Sequence, residues 1–164
     1  MKPATIKSLE AHFSTLASAL RVKVRDEKCI RELCPSLGGV YAIWNGVKSG
    51  KPIYVGETTH LKHRIAELSA YGRHAFFVSF IRERGIPSVP PSKSSHSAWS
   101  RLTISWLPLE LGRAELEDFL VGILEPKYNS NPVRLRLRQD RSDFARRPNP
   151  SLQGTLRDKA AQRP

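Results

Sequence analysis

The sequence predicts an α+β fold, because extended and helical patterns succeed one another along its 164 residues. Two runs rich in β-branched and aromatic residues, at 40–44 and 52–55, flank a loop with two glycines, which is typical of a β-hairpin. A third extended run lies at 101–107, and helical spacing of apolar residues precedes and follows it. The order strand, strand, helix, helix, strand, helix fits many small α+β domains and does not by itself indicate an activity.

The N-terminal residues 1–36 are predicted to form a helical extension of this domain. Apolar residues of the first helix recur at alternating steps of three and four, so they share one face. These residues are Ile6, Leu9, Phe13, Leu16 and Leu20. A second, short helix is predicted over 27–33, before a turn that contains proline and two adjacent glycines.

The helices of the central domain are predicted from the same spacing. A helix after the hairpin buries one apolar face, and Arg64 points away from that face. Further helices are predicted at 73–84 and 113–124. The segment 87–97 is rich in Ser and Pro and predicts a loop.

The net charge indicates the kind of partner. The chain has 27 Lys and Arg against 15 Asp and Glu, which gives a formal net charge of +12 and an isoelectric point of about 10.2. A field of this sign attracts polyanions, so nucleic acid is the expected partner. The alternative is that the charge serves only solubility.

The last residues of the chain carry the highest charge density. Residues 130–164 contain nine Lys and Arg against three Asp and Glu, and Phe144 is their only aromatic residue. Because such a segment can bury little apolar surface, we predict a disordered basic tail over 132–164. Its arginines could follow a nucleic-acid backbone without reading its sequence.

Cysteines and apolar runs exclude several classes of protein. Cys29 and Cys34 have no second cysteine pair or suitably spaced histidine pair to complete a zinc site, and no disulfide is suggested. The N-terminal sequence lacks a leader pattern, and no apolar run reaches the roughly 20 residues that span a bilayer. We expect a cytoplasmic protein with no membrane partner and no small-molecule cofactor.

A set of residues at the corners of these elements carries a more specific signal. The set consists of Gly39 and Tyr41 in the first strand, Tyr54 and Gly56 ending the second, Arg64 ten positions after Tyr54, and Glu117 and Asn129 bounding a later segment. Over about residues 38–129, the chain resembles the GIY-YIG nuclease family. One Gly-x-Tyr or Tyr-x-Gly has little value, but the whole ordered set is hard to obtain by chance.

The resemblance implies a small three-stranded antiparallel sheet flanked by helices, in a nuclease domain over 37–131. It also implies one divalent ion, Mg²⁺ or Mn²⁺, held by the single carboxylate of Glu117. Mg²⁺ prefers oxygen ligands and keeps most of its waters, so one protein ligand can suffice while a substrate phosphate completes the site. Glu115 and Asp118 point elsewhere by helical geometry.

The resemblance implies a role for each remaining polar residue. Arg64 would bind the phosphate and stabilise its transition state, although it could equally form a surface salt bridge with Glu67. Tyr41 and Tyr54 would line the cleft, and Tyr41 is favoured as the base. A phenol has a pKa of about 10, so this role requires a nearby cation or a metal-bound water that shares the work.

Three other positions qualify this picture. The family often has a His or Tyr one helical turn after the arginine, where this chain has Leu68; His74 is the expected replacement, with His63 and Tyr71 as alternatives. Asn129 is expected either to brace the site or to cap a helix. Glu57 is either a solvated loop residue or an aid to proton transfer.

Two glycines, Gly39 and Gly56, are expected where the backbone passes close to the cleft and a Cβ would obstruct it.

The sequence therefore predicts a metal-dependent endonuclease that hydrolyses phosphodiester bonds of DNA. The alternative is a catalytically degenerate module with the same fold that binds DNA in a larger complex. A third possibility keeps the nuclease and assigns recruitment of a protein partner to the N-terminal helix and the tail. Since one active site cuts one strand, a double-strand break would need a homodimer or two visits. The sequence does not choose between duplex, branched or damaged DNA and RNA.

Overall fold

Helices pack on both faces of a four-stranded antiparallel sheet in the computed structural model, which describes residues 6–47, 49–70, 74–86 and 96–129. The helices are α1 (Ile6–Ser18), α2 (Glu27–Leu33), α3 (Leu61–Ala70), α4 (Ala75–Arg84), α5 (Ser97–Arg101) and α6 (Arg113–Leu124). The strands are β1 (Val22–Lys23), β2 (Gly39–Asn45), β3 (Pro52–Thr58) and β4 (Leu102–Pro108). The predicted α+β class with a small antiparallel sheet is confirmed.

The sheet has the order β1-β4-β2-β3, with every neighbouring pair antiparallel. Strand β2 is therefore central, and β3 is an edge strand. The predicted count of three strands is wrong by one, because β1 adds a fourth strand beside β4 through the pair Val22↔Ile104. Two residues are too short for an alternating pattern to stand out in a sequence.

Two apolar cores lie on opposite faces of the sheet, because successive side chains of a strand point to opposite sides. On one face, Tyr41 and Ile43 of β2 pack with residues of α3, α4 and α5. On the other face, Val40, Ala42 and Trp44 pack with α1 and α6.

The predicted bounds of α2 and α6 agree with the structure. The predicted helix face of α1 was wrong at Leu20, because the helix ends at Ser18 and Leu20 is 68% exposed. The short helix α5 was missed, since its first residue, Ser97, fell in the predicted loop and its last, Arg101, was assigned to the strand. Residues 87–95 of that loop lie outside the described residues.

The N-terminal helices and the sheet belong to one compact unit. This unit extends to residue 130. The predicted tail over 132–164 lies outside the described residues. Cys29 and Cys34 are both free thiols. Within the described residues, no helix has the length and apolar character needed to cross a bilayer.

A buried hydrogen-bond chain fixes α1 on the sheet. The indole N–H of Trp44 donates to the Ser105 hydroxyl at 2.9 Å, and this hydroxyl donates to the carbonyl of Leu16 at 3.1 Å. Leu16 lies in the last turn of α1, where carbonyls lack partners within the helix. The hydroxyl therefore satisfies two buried groups at once.

Replacing this hydroxyl tests its contribution. Ser105→Ala should lower the free energy of unfolding by about 2 kcal/mol, because a buried N–H and a buried carbonyl lose their partner. Urea unfolding measures the change. The control Ser100→Ala removes an exposed hydroxyl that bonds the Ser97 carbonyl and should change stability by less than about 0.5 kcal/mol. Equal effects of the two variants would contradict the proposed role.

Candidate active site

Tyr41 and Tyr54 come together because they lie on the same face of neighbouring strands. They are 1% and 3% exposed, and their ring centroids are 6.1 Å apart. Tyr41 is paired in register with Gly56, and its ring lies over that glycine. A Cβ at position 56 would come within 2.5 Å of the Tyr41 hydroxyl oxygen. Gly56 therefore gives the phenol the space that it occupies.

His74 completes the contact to Tyr41 from a third element. It is the N-cap residue of α4 and is fully buried. Its Nε2 lies 2.6 Å from the hydroxyl oxygen of Tyr41, and its ring lies edge-on to Tyr54 with centroids 5.3 Å apart. His74, which was expected to replace the His or Tyr that the family often has at the position of Leu68, thus contacts Tyr41.

The helix cap decides which nitrogen of His74 carries the proton. The Phe76 backbone N–H donates to Nδ1 at 3.2 Å, which requires a lone pair on that nitrogen. A neutral imidazole has one N–H and one lone pair, so Nε2 carries the hydrogen. His74 therefore donates to the Tyr41 oxygen, and it cannot take the Tyr41 proton at Nε2 in this arrangement.

Arg64 lies beside this group on α3, and the structure contains the salt bridge with Glu67 that was its alternative reading. Its Nη1 donates to the Glu67 carboxylate at 2.9 Å, with both side chains about one-third exposed. The positive charge of Arg64 and its hydrogen bond also lower the pKa of Tyr41. The guanidinium thus lies between a surface carboxylate and the buried phenol.

Burial dominates the ionisation of Tyr41. Desolvation raises the pKa of Tyr41 well above its ordinary value, and Tyr54 raises it further through its charge and a hydrogen bond, which outweighs the lowering by Arg64. Since the ordinary value is about 10, Tyr41 is a neutral phenol at neutral pH. A base role for Tyr41 therefore needs a change in this environment.

The alternatives to His74 do not lie in the same place. Leu68 is 1% exposed and belongs to the apolar core, so its position holds no proton-transfer group. The His63 side chain is 77% exposed, and its Nδ1 lies 3.8 Å from Glu67. Tyr71 lies outside the described residues.

Glu117 is the one carboxylate counted as buried among the described residues, at 8% exposure. Glu115 and Asp118 on the same helix are exposed, as expected. Helix α6 packs on β3 and β2, and Arg113, one turn before Glu117, pairs with Glu57 of β3 at 3.5 Å. This pairing places the Glu117 side of the helix along β3.

Glu117 offers the oxygen donor that a single-ligand ion site would use. Within the described residues, no group of three His, Cys, Asp or Glu side chains could hold a metal ion. A buried carboxylate is costly without a compensating charge or hydrogen bonds, and it is an oxygen donor of the kind that Mg²⁺ prefers. One carboxylate is the protein ligand that a mostly hydrated ion needs.

Asn129 braces the strand that carries Tyr54. Its side-chain oxygen accepts from the Val55 backbone N–H at 2.8 Å, and its side-chain nitrogen donates to the Val55 carbonyl at 2.7 Å. Both bonds lie on the outer edge of β3, between Tyr54 and Gly56. The side chain thus holds the backbone of β3 and does not cap a helix.

The structure brings four of the expected residues into one group: Tyr41, Tyr54, Arg64 and His74. Glu117 lies on α6, whose apolar residues pack on the opposite sheet face. Gly39 allows β2 to pack closely against β4, because a Cβ there would lie 2.3 Å from the Leu107 carbonyl oxygen.

Two contributors were missed by the sequence analysis. The backbone N–H of Phe76 sets the tautomer of His74, and a histidine directly before a helical run was the available signal. Arg113 holds Glu57 from 56 residues away, and no local pattern predicts that pair.

Two substitutions separate the capping role of His74 from its bond to Tyr41. Asparagine is a strong N-cap residue, so His74→Asn can still accept from the Phe76 N–H while losing the Tyr41 contact. His74→Ala loses both interactions. Urea unfolding should give His74→Asn a free energy of unfolding about 1 kcal/mol higher than that of His74→Ala. Equal stabilities would rule out the cap.

Gly56→Ala should displace the Tyr41 ring, because the new methyl carbon would lie 2.5 Å from the phenol oxygen, closer than van der Waals contact allows. We expect a loss of about 2 kcal/mol in the free energy of unfolding, and loss of the hydrogen-bonded His74 Nε2–H resonance from the NMR spectrum. The control Gly122→Ala lies in α6 with open space around it, so it should keep the resonance and gain about 0.5 kcal/mol. Persistence of the resonance in Gly56→Ala would refute the packing argument.

Comparison with known proteins adds no assignment: no family model matches the chain, and no curated protein matches its sequence.

Proposed function

We propose that the chain is a metal-dependent endonuclease that hydrolyses phosphodiester bonds of DNA, with one Mg²⁺ or Mn²⁺ ion held by Glu117. The observation that carries the proposal is the group of buried Tyr41, Tyr54 and His74 with the partly exposed Arg64, which assembles from two strands and two helical segments. The ordered set of residues that resembles the GIY-YIG family, which includes Tyr41, Tyr54 and Arg64, also supports it.

Burial is what makes this group a candidate for chemistry. A phenol and an imidazole at 0–1% exposure contribute less stability than apolar residues of similar size, unless every polar atom is satisfied. A strongly shifted pKa beside a permanent cation is typical of functional sites. The net charge of +12 supports a polyanionic substrate.

Each residue has a role that matches its chemistry. Arg64 binds phosphoryl oxygens through its planar fork and stabilises the charge that develops on them. Glu117 holds the ion, which when bound supplies charge neutralisation and an acidified water. Asn129 keeps the backbone between Tyr54 and Gly56 in position through Val55.

Proton transfer is assigned to Tyr41 with His74 as its hydrogen-bond donor. The Nε2–H of His74 and the charge of Arg64 both favour the phenolate form of Tyr41, whereas burial opposes it. His74 therefore orients Tyr41 and stabilises its negative charge. It does not act as the proton acceptor, because the Phe76 N–H occupies the lone pair of Nδ1.

A second candidate function is DNA binding without cleavage. Two observations favour it: the raised pKa keeps Tyr41 protonated, and Glu67 already engages Arg64. Such a module would still bind DNA in a salt-dependent manner, because phosphate contacts release counterions whatever the chemistry.

A plasmid-nicking assay with Mg²⁺ or Mn²⁺ distinguishes the two functions. The parent should convert supercoiled DNA to open circles, and Glu117→Gln and Arg64→Ala should each slow this conversion by about 100-fold or more. The control Glu115→Gln changes an exposed carboxylate on the same helix and should cut at the parental rate.

The remaining outcomes are also decisive. DNA binding by all four proteins without cleavage would replace the nuclease by the binding module. Absence of both binding and cleavage would refute both functions.

A further inference from the structure

A polar pocket of about 250 Å³ lies apart from the group of Tyr41, Tyr54, Arg64 and His74, which we call the tyrosine group. It is formed where the end of β2, the last turn of α4 and the short helix α5 meet. Its lining includes Asn45, Phe80, Arg84, His96, Ser97 and Arg101. We call it the β2–α5 pocket.

The pocket is cationic. Among the described residues that line it, two carry a guanidinium group and none carries a carboxylate. Arg84 and Arg101 are exposed, and within the described part of the chain neither forms a salt bridge, although Arg84 hydrogen-bonds Tyr128 and lies near the Glu83 carboxylate and the Phe80 ring. Arg31, Arg64 and Arg113, by contrast, each pair with a glutamate.

Hydrogen-bond donors add to this charge. The Ala98 backbone N–H donates to Nδ1 of His96 at 3.2 Å, so the neutral ring carries its hydrogen on Nε2. His96 therefore presents a donor in both of its charge states. Asn45 and Ser97 contribute an amide and a hydroxyl. Two guanidinium forks with neighbouring N–H and O–H donors match a phosphate group better than a carboxylate or a neutral ligand.

The pocket lies on the same side of the sheet as Tyr41. Residues 41, 43 and 45 of β2 alternate onto one face, and Phe80 belongs to the apolar core of that face. Asn45 is four positions after Tyr41 on β2, which is about 13 Å at about 3.3 Å per residue.

We infer that the β2–α5 pocket binds a backbone phosphate of DNA at a second site, about 13 Å along β2 from the phosphate held beside Tyr41. The choice of DNA rests on the proposed function, whereas the choice of a phosphate group rests on the lining of the pocket. A contact at this distance would fix the direction in which the strand crosses the tyrosine group. Free phosphate offers the same chemistry, so the test includes both ligands.

The test measures binding of a 20-base-pair duplex to the full chain in EDTA, so that cleavage plays no part. Arg84→Ala and Arg101→Ala should each weaken binding by about tenfold, because each removes a charge-assisted phosphate contact. The double variant should also lower the dependence of log K on log salt concentration by about 1. The control Arg82→Ala removes an equal charge from α4 outside the pocket and should weaken binding less than threefold.

Inorganic phosphate serves as the second probe. In the parent it should compete weakly with the duplex, and the double variant should lose this competition. Weaker phosphate binding with unchanged duplex affinity would overturn the inference in favour of a free phosphate ligand. Unchanged affinity for both ligands would overturn it entirely. This binding test does not depend on cleavage. If the parent fails to nick plasmid DNA but the Arg84 and Arg101 variants still bind the duplex more weakly, the nuclease proposal is refuted and the phosphate site in the β2–α5 pocket stands.

Discussion

Strand β2 is the element on which both layers of the protein depend. Six of its seven residues are buried, and its alternation sends Val40, Ala42 and Trp44 to one core and Tyr41 and Ile43 to the other. A strand covered on both faces reads as a nearly continuous apolar run. The phenol of Tyr41 is an exception in this run, and it is tolerated because hydrogen-bond partners arrive from other elements.

His74 links the start of a helix to the candidate site. One side chain caps α4 through Nδ1 and contacts Tyr41 through Nε2. The stability of α4 and the state of Tyr41 are therefore not independent, since a change that frays the first turn of α4 also frees the lone pair of Nδ1 to accept a proton. A tautomer held in this way needs no further carboxylate to define it.

Much of the fold could be predicted because its signals are local. The bounds of α6 follow from apolar spacing, and the exposed Glu115 and Asp118 follow from the rotation of a helix. Strand β1 and helix α5 could not be predicted, because two and five residues give too little periodicity. In the candidate site, the contact between Tyr41 and His74 spans 33 residues, so only tertiary packing creates it. The rise in the pKa of Tyr41 likewise follows from burial, which the sequence expresses only weakly.

The bonds that Asn129 makes to Val55 have a consequence for the outer rim of the sheet. An edge strand exposes a row of backbone groups on which a strand of another molecule can assemble. Here the Tyr128 N–H occupies the Ile53 carbonyl at 3.0 Å, and the Asn129 amide occupies both backbone groups of Val55. Two residues of the same chain thus make the hydrogen bonds that a fifth strand would make. A strand of another molecule therefore cannot pair with the middle of β3.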